Sequence, residues 1–317
     1  MTVRARSTGP SACALIAEPR CEIISELGEG PRWDPEYGAL AWLDVPRRLM
    51  HRIDLNGIVT TISLSARVSA IGLCVSGSRY VAATEFGFGF VDPMTGHVEP
   101  IVSVEKRARA RMNDGGVDFA GRFLAGSVSA DSKLANGSLH CLRPDGSVGC
   151  LFGDVRLSNG IGWSADGRSM YFVDSLRGSL DRLNYDMASG TAHRRQSIAV
   201  IAEQDGVPDG LCVDADDRIW VALWGGGAVR CYAPTGELLR IVRAPCKYVS
   251  ACTFGGANAD TLYITTAAIG DESSLAAGKL LACQVGARGA TIARFDDRHW
   301  PGGNTSNHSN DSRGVVP

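Results

Sequence analysis

Six times along this 317-residue chain the same unit recurs: a turn carrying Asp or Gly, an apolar strand-like run, a gap, a second such run and a closing turn. The paired runs fall at 39–45 and 49–55, 80–84 and 87–92, 122–127 and 137–143, 169–174 and 179–185, 219–223 and 228–232, and 262–266 and 279–285. Their spacing is roughly 40–50 residues, the range of a four-stranded propeller blade. A blade cannot cover its apolar faces alone, and a closed ring of blades removes most exposed sheet edges. Helical periodicity is nearly absent. The expected fold is therefore all-β, a six-bladed β-propeller over residues 21–300. The two remaining strands of each blade are expected in weaker runs between the copies, such as 60–64 and 70–75. A strand near 21–27 is expected to complete the last blade and close the ring. Residues 1–20 read as a disordered leader. The tail over 301–317 is rich in Asn, Ser and Gly, has little to bury, and reads as disordered.

Charge and composition exclude several classes of partner. The formal net charge is −2, whereas nucleic-acid and membrane-surface binders usually carry a basic stripe. The dense basic stretch at 106–111 contains no aromatic residue, and the pairs Arg47-Arg48 and Arg194-Arg195 read as loop charge between strand-like segments. No run approaches the ~18 apolar residues of a membrane span, and the apolar run 12–17 is too short for a signal-peptide core. Ten cysteines form no CxxC pair. Cys74, Cys141, Cys212, Cys231, Cys252 and Cys283 lie inside apolar runs and read as buried free thiols rather than disulfides or zinc ligands. A cytoplasmic monomer with a small-molecule partner is expected, with no nucleic acid and no membrane.

The chemistry is not that of a serine or zinc-histidine hydrolase. No GxSxG elbow, HExxH helix or P-loop is present, and the six histidines show no ligand spacing. Polar residues beside glycine stand out instead: Gly28-Glu29-Gly30-Pro31, Arg111-Met-Asn113-Asp114-Gly115, Leu157-Ser-Asn159-Gly160 and Val207-Pro-Asp209-Gly210. Asn-Gly and Asp-Gly are turn dipeptides first. These four, however, occupy equivalent places at the entry to four separate blades. In a propeller the first strand of each blade lines the channel, so such positions converge on the axis however far apart they lie in sequence. Trp33, Trp163 and Trp220 read as inter-blade core. Trp224, beside Gly225-Gly226-Gly227, reads equally as core or as part of the channel mouth.

At these residues the chain resembles the SMP-30/gluconolactonase/regucalcin-like family of sugar lactonases. The matching stretches are Leu27-Gly-Glu-Gly-Pro-Arg-Trp33, Arg111-Met-Asn-Asp-Gly-Gly-Val-Asp118, Gly121-Arg-Phe-Leu-Ala-Gly126, Ser158-Asn-Gly-Ile-Gly-Trp163, Tyr171-Phe-Val-Asp-Ser175, Pro208-Asp-Gly-Leu-Cys-Val-Asp214 and Ile219-Trp-Val-Ala-Leu-Trp-Gly-Gly226. The resemblance implies that Glu29, Asn159 and Asp209 bind one divalent metal ion. Their oxygen donors suit a hard cation: Ca²⁺ leads, with Mg²⁺, Mn²⁺, Zn²⁺ and Fe²⁺ as alternatives. It also implies that Arg111, Asn113 and Asp131 contact the substrate. Asp131 stands where some members carry Glu, in a segment shorter than in animal members, so substrate choice is expected to differ. The implied reaction is hydrolysis of a sugar-acid lactone, such as a glucono-, xylono-, arabinono- or galactonolactone. Asp209, itself an ion ligand, is the expected catalytic proton acceptor. Two rivals remain: the same site acting on non-sugar lactones, esters or phosphotriesters, and a propeller that binds metal without catalysis.

Overall fold

A computed structural model describes residues 15–104, 111–128, 137–271 and 273–300. Six small antiparallel sheets form a ring, a six-bladed β-propeller. Blade one comprises Gly28–Asp34, Ala39–Asp44, Leu49–Asp54 and Val59–Ser63, and blade two Val68–Leu73, Tyr80–Thr84, Gly87–Val91 and Val98–Ser103. Blade three comprises Arg111–Val117, Phe123–Val128, Gly137–Leu142 and Val148–Val155. Blade four comprises Ser158–Trp163, Ser169–Asp174, Ser179–Asp186 and Thr191–Val200. Blade five comprises Val207–Val213, Ile219–Trp224, Ala228–Tyr232 and Leu238–Arg243. Blade six has Val249–Gly255, Thr261–Thr266 and Lys279–Gln284, and takes its outermost strand, Glu18–Ile24, from the other end of the chain. The ring-closing strand is thus the one expected near 21–27. Residues 15–20, assigned from sequence to an unstructured leader, are a correction: Leu15–Ile16 pairs in parallel with Leu238–Arg243, and Glu18 opens the closing strand.

The first strand of each blade packs against the first strands of its two neighbours all the way round, so these six strands line the channel. Six backbones can converge only where side chains are small. A Cβ on Gly160 would stand 2.6 Å from the Leu211 nitrogen, and one on Gly210 2.5 Å from the Ala251 Cβ. Each inner strand therefore carries glycine at the cost of β propensity. The middle strands bury both faces against adjacent blades, which explains their continuous apolar runs. Trp42, Trp220, Phe123 and Phe172 are fully buried there. Trp33 and Trp163 are also core, Trp33 stacking on Tyr263 with ring centres 6.3 Å apart.

Turn carboxylates hold the blade corners. Asp118 accepts from the Ala120 and Arg122 amides at 3.0 and 2.9 Å, from the Arg122 guanidinium at 2.7 Å and from the Tyr185 hydroxyl at 2.7 Å. Asp214 repeats the arrangement with Asp216, Arg218 and the Trp220 indole. The Arg194-Arg195 pair departs from expectation. It lies within the strand Thr191–Val200, where Arg195 reaches the Asp181 carboxylate at 2.6 Å.

After blade six the chain crosses the end of the channel opposite the strand entries. Gly289 donates to the Ala259 carbonyl at 2.7 Å, Phe295 to Leu73 at 2.8 Å and Asp296 to Gly121 at 3.0 Å. Asp297 pairs with Arg79 at 2.9 Å, and Phe295 is fully buried. This strap joins blades five and six to blades two and three. An apolar pocket between it and the inner strands, lined by Gly72, Gly116, Gly162, Leu211, Ala290 and Ile292, lies away from the polar strand entries. Among the described residues no helix is long and apolar enough to cross a membrane. The cysteines of the described residues are free thiols, and Cys74, Cys141, Cys231 and Cys252 are buried as expected. Cys212 and Cys283 are only partly buried.

Candidate active site

The four polar-glycine entries meet at one end of the channel. Two of them are set by the same local device. The Asp44 carboxylate, fully buried at the end of the second strand of blade one, accepts from the Glu26 and Leu27 amides at 2.9 and 3.4 Å. Asp174 does the same in blade four for Arg156 and Leu157, at 3.2 and 3.1 Å. Each carboxylate fixes the backbone two residues before a candidate ligand, Glu29 in one case and Asn159 in the other. Glu29 then sits at an irregularity in strand pairing, between Glu29 and Arg32, which turns its side chain towards the axis.

Asn159 is buried, and its amide is oriented. Its Nδ2 donates to the Ser175 hydroxyl at 2.9 Å, which leaves the carbonyl oxygen facing the cluster. That oxygen accepts from Asn113 Nδ2 at 3.2 Å. Asn113 Nδ2 also donates to the Ser158 carbonyl at 2.8 Å, and its Oδ1 accepts from Arg111 at 2.6 Å. Arg111, Asn113 and Asn159 thus form one hydrogen-bonded chain across blades three and four.

The carboxylates crowd one another. Burial raises the Asp209 pKa well above its ordinary value, and the negative charges of Glu29 and Asp114 raise it further, against the pull of Arg111. Glu29 lies deep in the protein but is still reached by water along the channel. Burial and then Asp114 push it up to about 8, opposed by the Gly30 amide, Arg111 and Arg32. Asp114 is raised by burial, with Arg32 opposing. Arg111 is lowered by burial, with Glu29 and Asp209 pulling the other way.

Glu29, Asn159, Asp209, Arg111 and Asn113 therefore belong to one cluster, whereas Asp131 lies outside the described residues. Sequence reasoning gave no role to Asp114, although it is part of the quoted Asn113-Asp114-Gly115 motif, nor to Ser175, which orients Asn159. Trp224, left open between core and mouth, is half-buried and packs on Tyr248 with ring centres 4.6 Å apart.

The donors suit a hard cation. Asp209 Oδ1 is buried with no hydrogen-bond partner, a position that a cation satisfies and an apolar core does not. Two carboxylates pushed towards protonation by burial, and further by neighbouring negative charge, are relieved by a positive charge between them. Among the described residues no group of three or more His, Cys, Asp or Glu is arranged to hold a metal. The set here has two carboxylates and an amide oxygen, which favours an oxygen-loving ion over a zinc-histidine centre.

The sequence profile of the SMP-30/Gluconolactonase/LRE-like region matches residues 27–268, a span that contains every described member of the cluster. The chain belongs to this family. Regucalcin of Danio rerio is 35% identical over 258 residues, covering 80% of this chain and 87% of its own. The crystal structure of a calcium-binding protein, regucalcin, from Agrobacterium tumefaciens superposes with a TM-score of 0.83 at 26% identity, covering 90% of this chain and 99% of its own. A luciferin-regenerating enzyme superposes with a TM-score of 0.81 at 28% identity, covering 88% and 99%. These relatives carry different names, so the reaction has to be argued from the site.

Proposed function

We propose that this chain is a metal-dependent lactonase that opens a sugar-acid lactone to the free acid. The observation that carries the reading is the convergence of Glu29, Asn159 and Asp209, with an orphaned Asp209 oxygen, on the hydrogen-bonded pair Arg111 and Asn113. Glu29, Asn159 and Asp209 would hold the ion. When bound, a divalent ion supplies Lewis acidity towards the lactone carbonyl and makes a nearby water more acidic.

The chain's own residues do the rest. Asp209, one of the residues that would hold the ion, is also the carboxylate placed to take the proton of the attacking water. Asn113 donates and accepts, which suits the hydroxyls of a sugar ring once they leave water. Arg111 presents the unused edge of its guanidinium to the ester or hydroxyl oxygens. Its bond to Asn113 fixes the geometry of both. Ser175 keeps the Asn159 carbonyl oxygen aimed inwards. The strap crosses the far end of the channel, which leaves the end where these residues lie as the route for substrate. The named calcium-binding relative supports Ca²⁺ as the first ion to try.

The test is a panel of aldonolactones followed by acid release, using metal-stripped protein with Ca²⁺, Mg²⁺, Mn²⁺, Zn²⁺ or Fe²⁺ restored in turn. Metal-dependent hydrolysis of one or a few sugar lactones is expected. Asp209→Asn is expected to lower kcat by about 10²–10⁴-fold with the fold intact. Hydrolysis no faster than the spontaneous reaction with every ion would reject the proposal.

A further inference from the structure

The site end of the channel holds a second arginine that the lactonase reading leaves unused. Arg67 directly precedes the inner strand of blade two, and Arg111 opens the inner strand of blade three. The Ser69 hydroxyl donates to the Asn113 carbonyl at 2.7 Å and to that of Met112 at 3.2 Å, which sets the two strands level. Two residues back along the chain from Ser69 and Asn113 stand Arg67 and Arg111. Their charges interact: after burial, Arg67 is the other group that lowers the Arg111 pKa. Arg67 Nε is sealed from water and donates to nothing. Neither guanidinium has a carboxylate within ion-pair distance among the described residues.

Two like charges side by side at the edge of a cleft repel each other, and an anion placed between them offsets the cost of both. Among the described residues the channel does not supply that anion. Among the described residues, Glu29, Asp114 and Asp209 formally cancel Arg32, Arg67 and Arg111, so a divalent ion leaves this described set positive. A neutral aldonolactone makes no use of this excess. A ring bearing a carboxylate or phosphate on its far carbon does.

We infer that the substrate is a sugar lactone carrying a second anionic group, gripped by Arg67 and Arg111. The inference rests on the lactonase reading for its chemistry and on Arg67 for its choice of substrate.

The experiment extends the lactone panel to monolactones of aldaric acids, which keep a free carboxylate, and to a phosphorylated aldonolactone. Each is compared with a neutral aldonolactone of the same ring size. For at least one anionic class kcat/KM is expected to exceed the neutral value by about tenfold, a difference of about 1.4 kcal/mol. The two anionic arms tell carboxylate from phosphate. Arg67→Met is expected to erase that ratio, mainly through KM, and Arg67→Lys to restore part of it. Calorimetric titration with the open aldarate dianion reads the same grip without turnover. There the wild type is expected to bind the dianion more tightly than the aldonate, and Arg67→Met to lose the difference. Hydrolysis that favours neutral lactones, or a ratio unmoved in Arg67→Met, overturns this inference and leaves the lactonase reading standing. Arg67-dependent binding of the dianion with no hydrolysis of any lactone sinks the lactonase reading and keeps the anion site. Absence of both overturns both.

Discussion

Crowding Glu29, Asp114 and Asp209 into one poorly hydrated end of a channel leaves them holding protons that free carboxylates would have lost. The consequence for stability has a definite sign. A carboxylic acid whose pKa is higher in the folded chain binds protons that the unfolded chain releases. Its stabilising protonation is complete below the ordinary carboxylate range and is lost as pH rises through the folded value, about 8 for Glu29. Cation-free protein should therefore melt at a lower temperature at pH 8 than at pH 5. Added divalent ion should restore the melting temperature at pH 8, and Glu29→Gln should flatten the profile. Thermal melts with chelator and with ion check all three. At this scale the sequence is legible where a polar residue sits beside glycine at matching points of different blades, which marks Glu29, Asn113, Asn159 and Asp209. It is silent on Arg67 and Ser175, because their roles come from neighbours in other strands and no local pattern distinguishes them.

Among the elements, the inner strands depend on carboxylates borrowed from the strand beside them. Asp174 serves two amides ahead of Asn159 and also pairs with Arg177 at 3.1 Å. Asp174→Ala strands two backbone donors in a partly buried corner. It should cost about 3 kcal/mol in urea unfolding, and weaken ion binding by displacing Asn159. The equivalent Asp44→Ala should act through Glu29 in the same way. If Asp174→Ala loses stability but binds the ion normally, the tether is purely structural. The middle strands are readable from sequence because burial on both faces writes a continuous apolar run. The inner strands are hard to read because close approach around the axis demands Gly, and the site demands Asn, Asp and Pro; all of these read as turns. The final β-strand run before the strap carries the same apolar signal as the others, whereas the strap, held by backbone hydrogen bonds, the Asp297–Arg79 pair and single side chains such as Phe295, writes no such run.

For the molecule as a whole, the period of the repeat suffices to give six blades, and the apolar run near residue 21 suffices to suggest how the ring closes. What the period cannot give is the cross-bracing. Phe295, at the end of the strap, is buried against blades two and three. Phe295→Ala should cost about 3–5 kcal/mol, and the loss should appear in global unfolding rather than in local fraying, because the strap ties non-adjacent blades. A calorimetric transition that splits in two would show instead that the blades melt separately. The closing strand has a further consequence, in time rather than space. Glu18–Ile24 leaves the ribosome before blade one, and its partner Lys279–Gln284 only after five blades have followed. Five blades can therefore be made while this segment waits unpaired, and the ring is sealed only once blade six is made. Until then its exposed edge is open to wrong partners, so the yield of folded protein should depend on how quickly translation runs through the final blade.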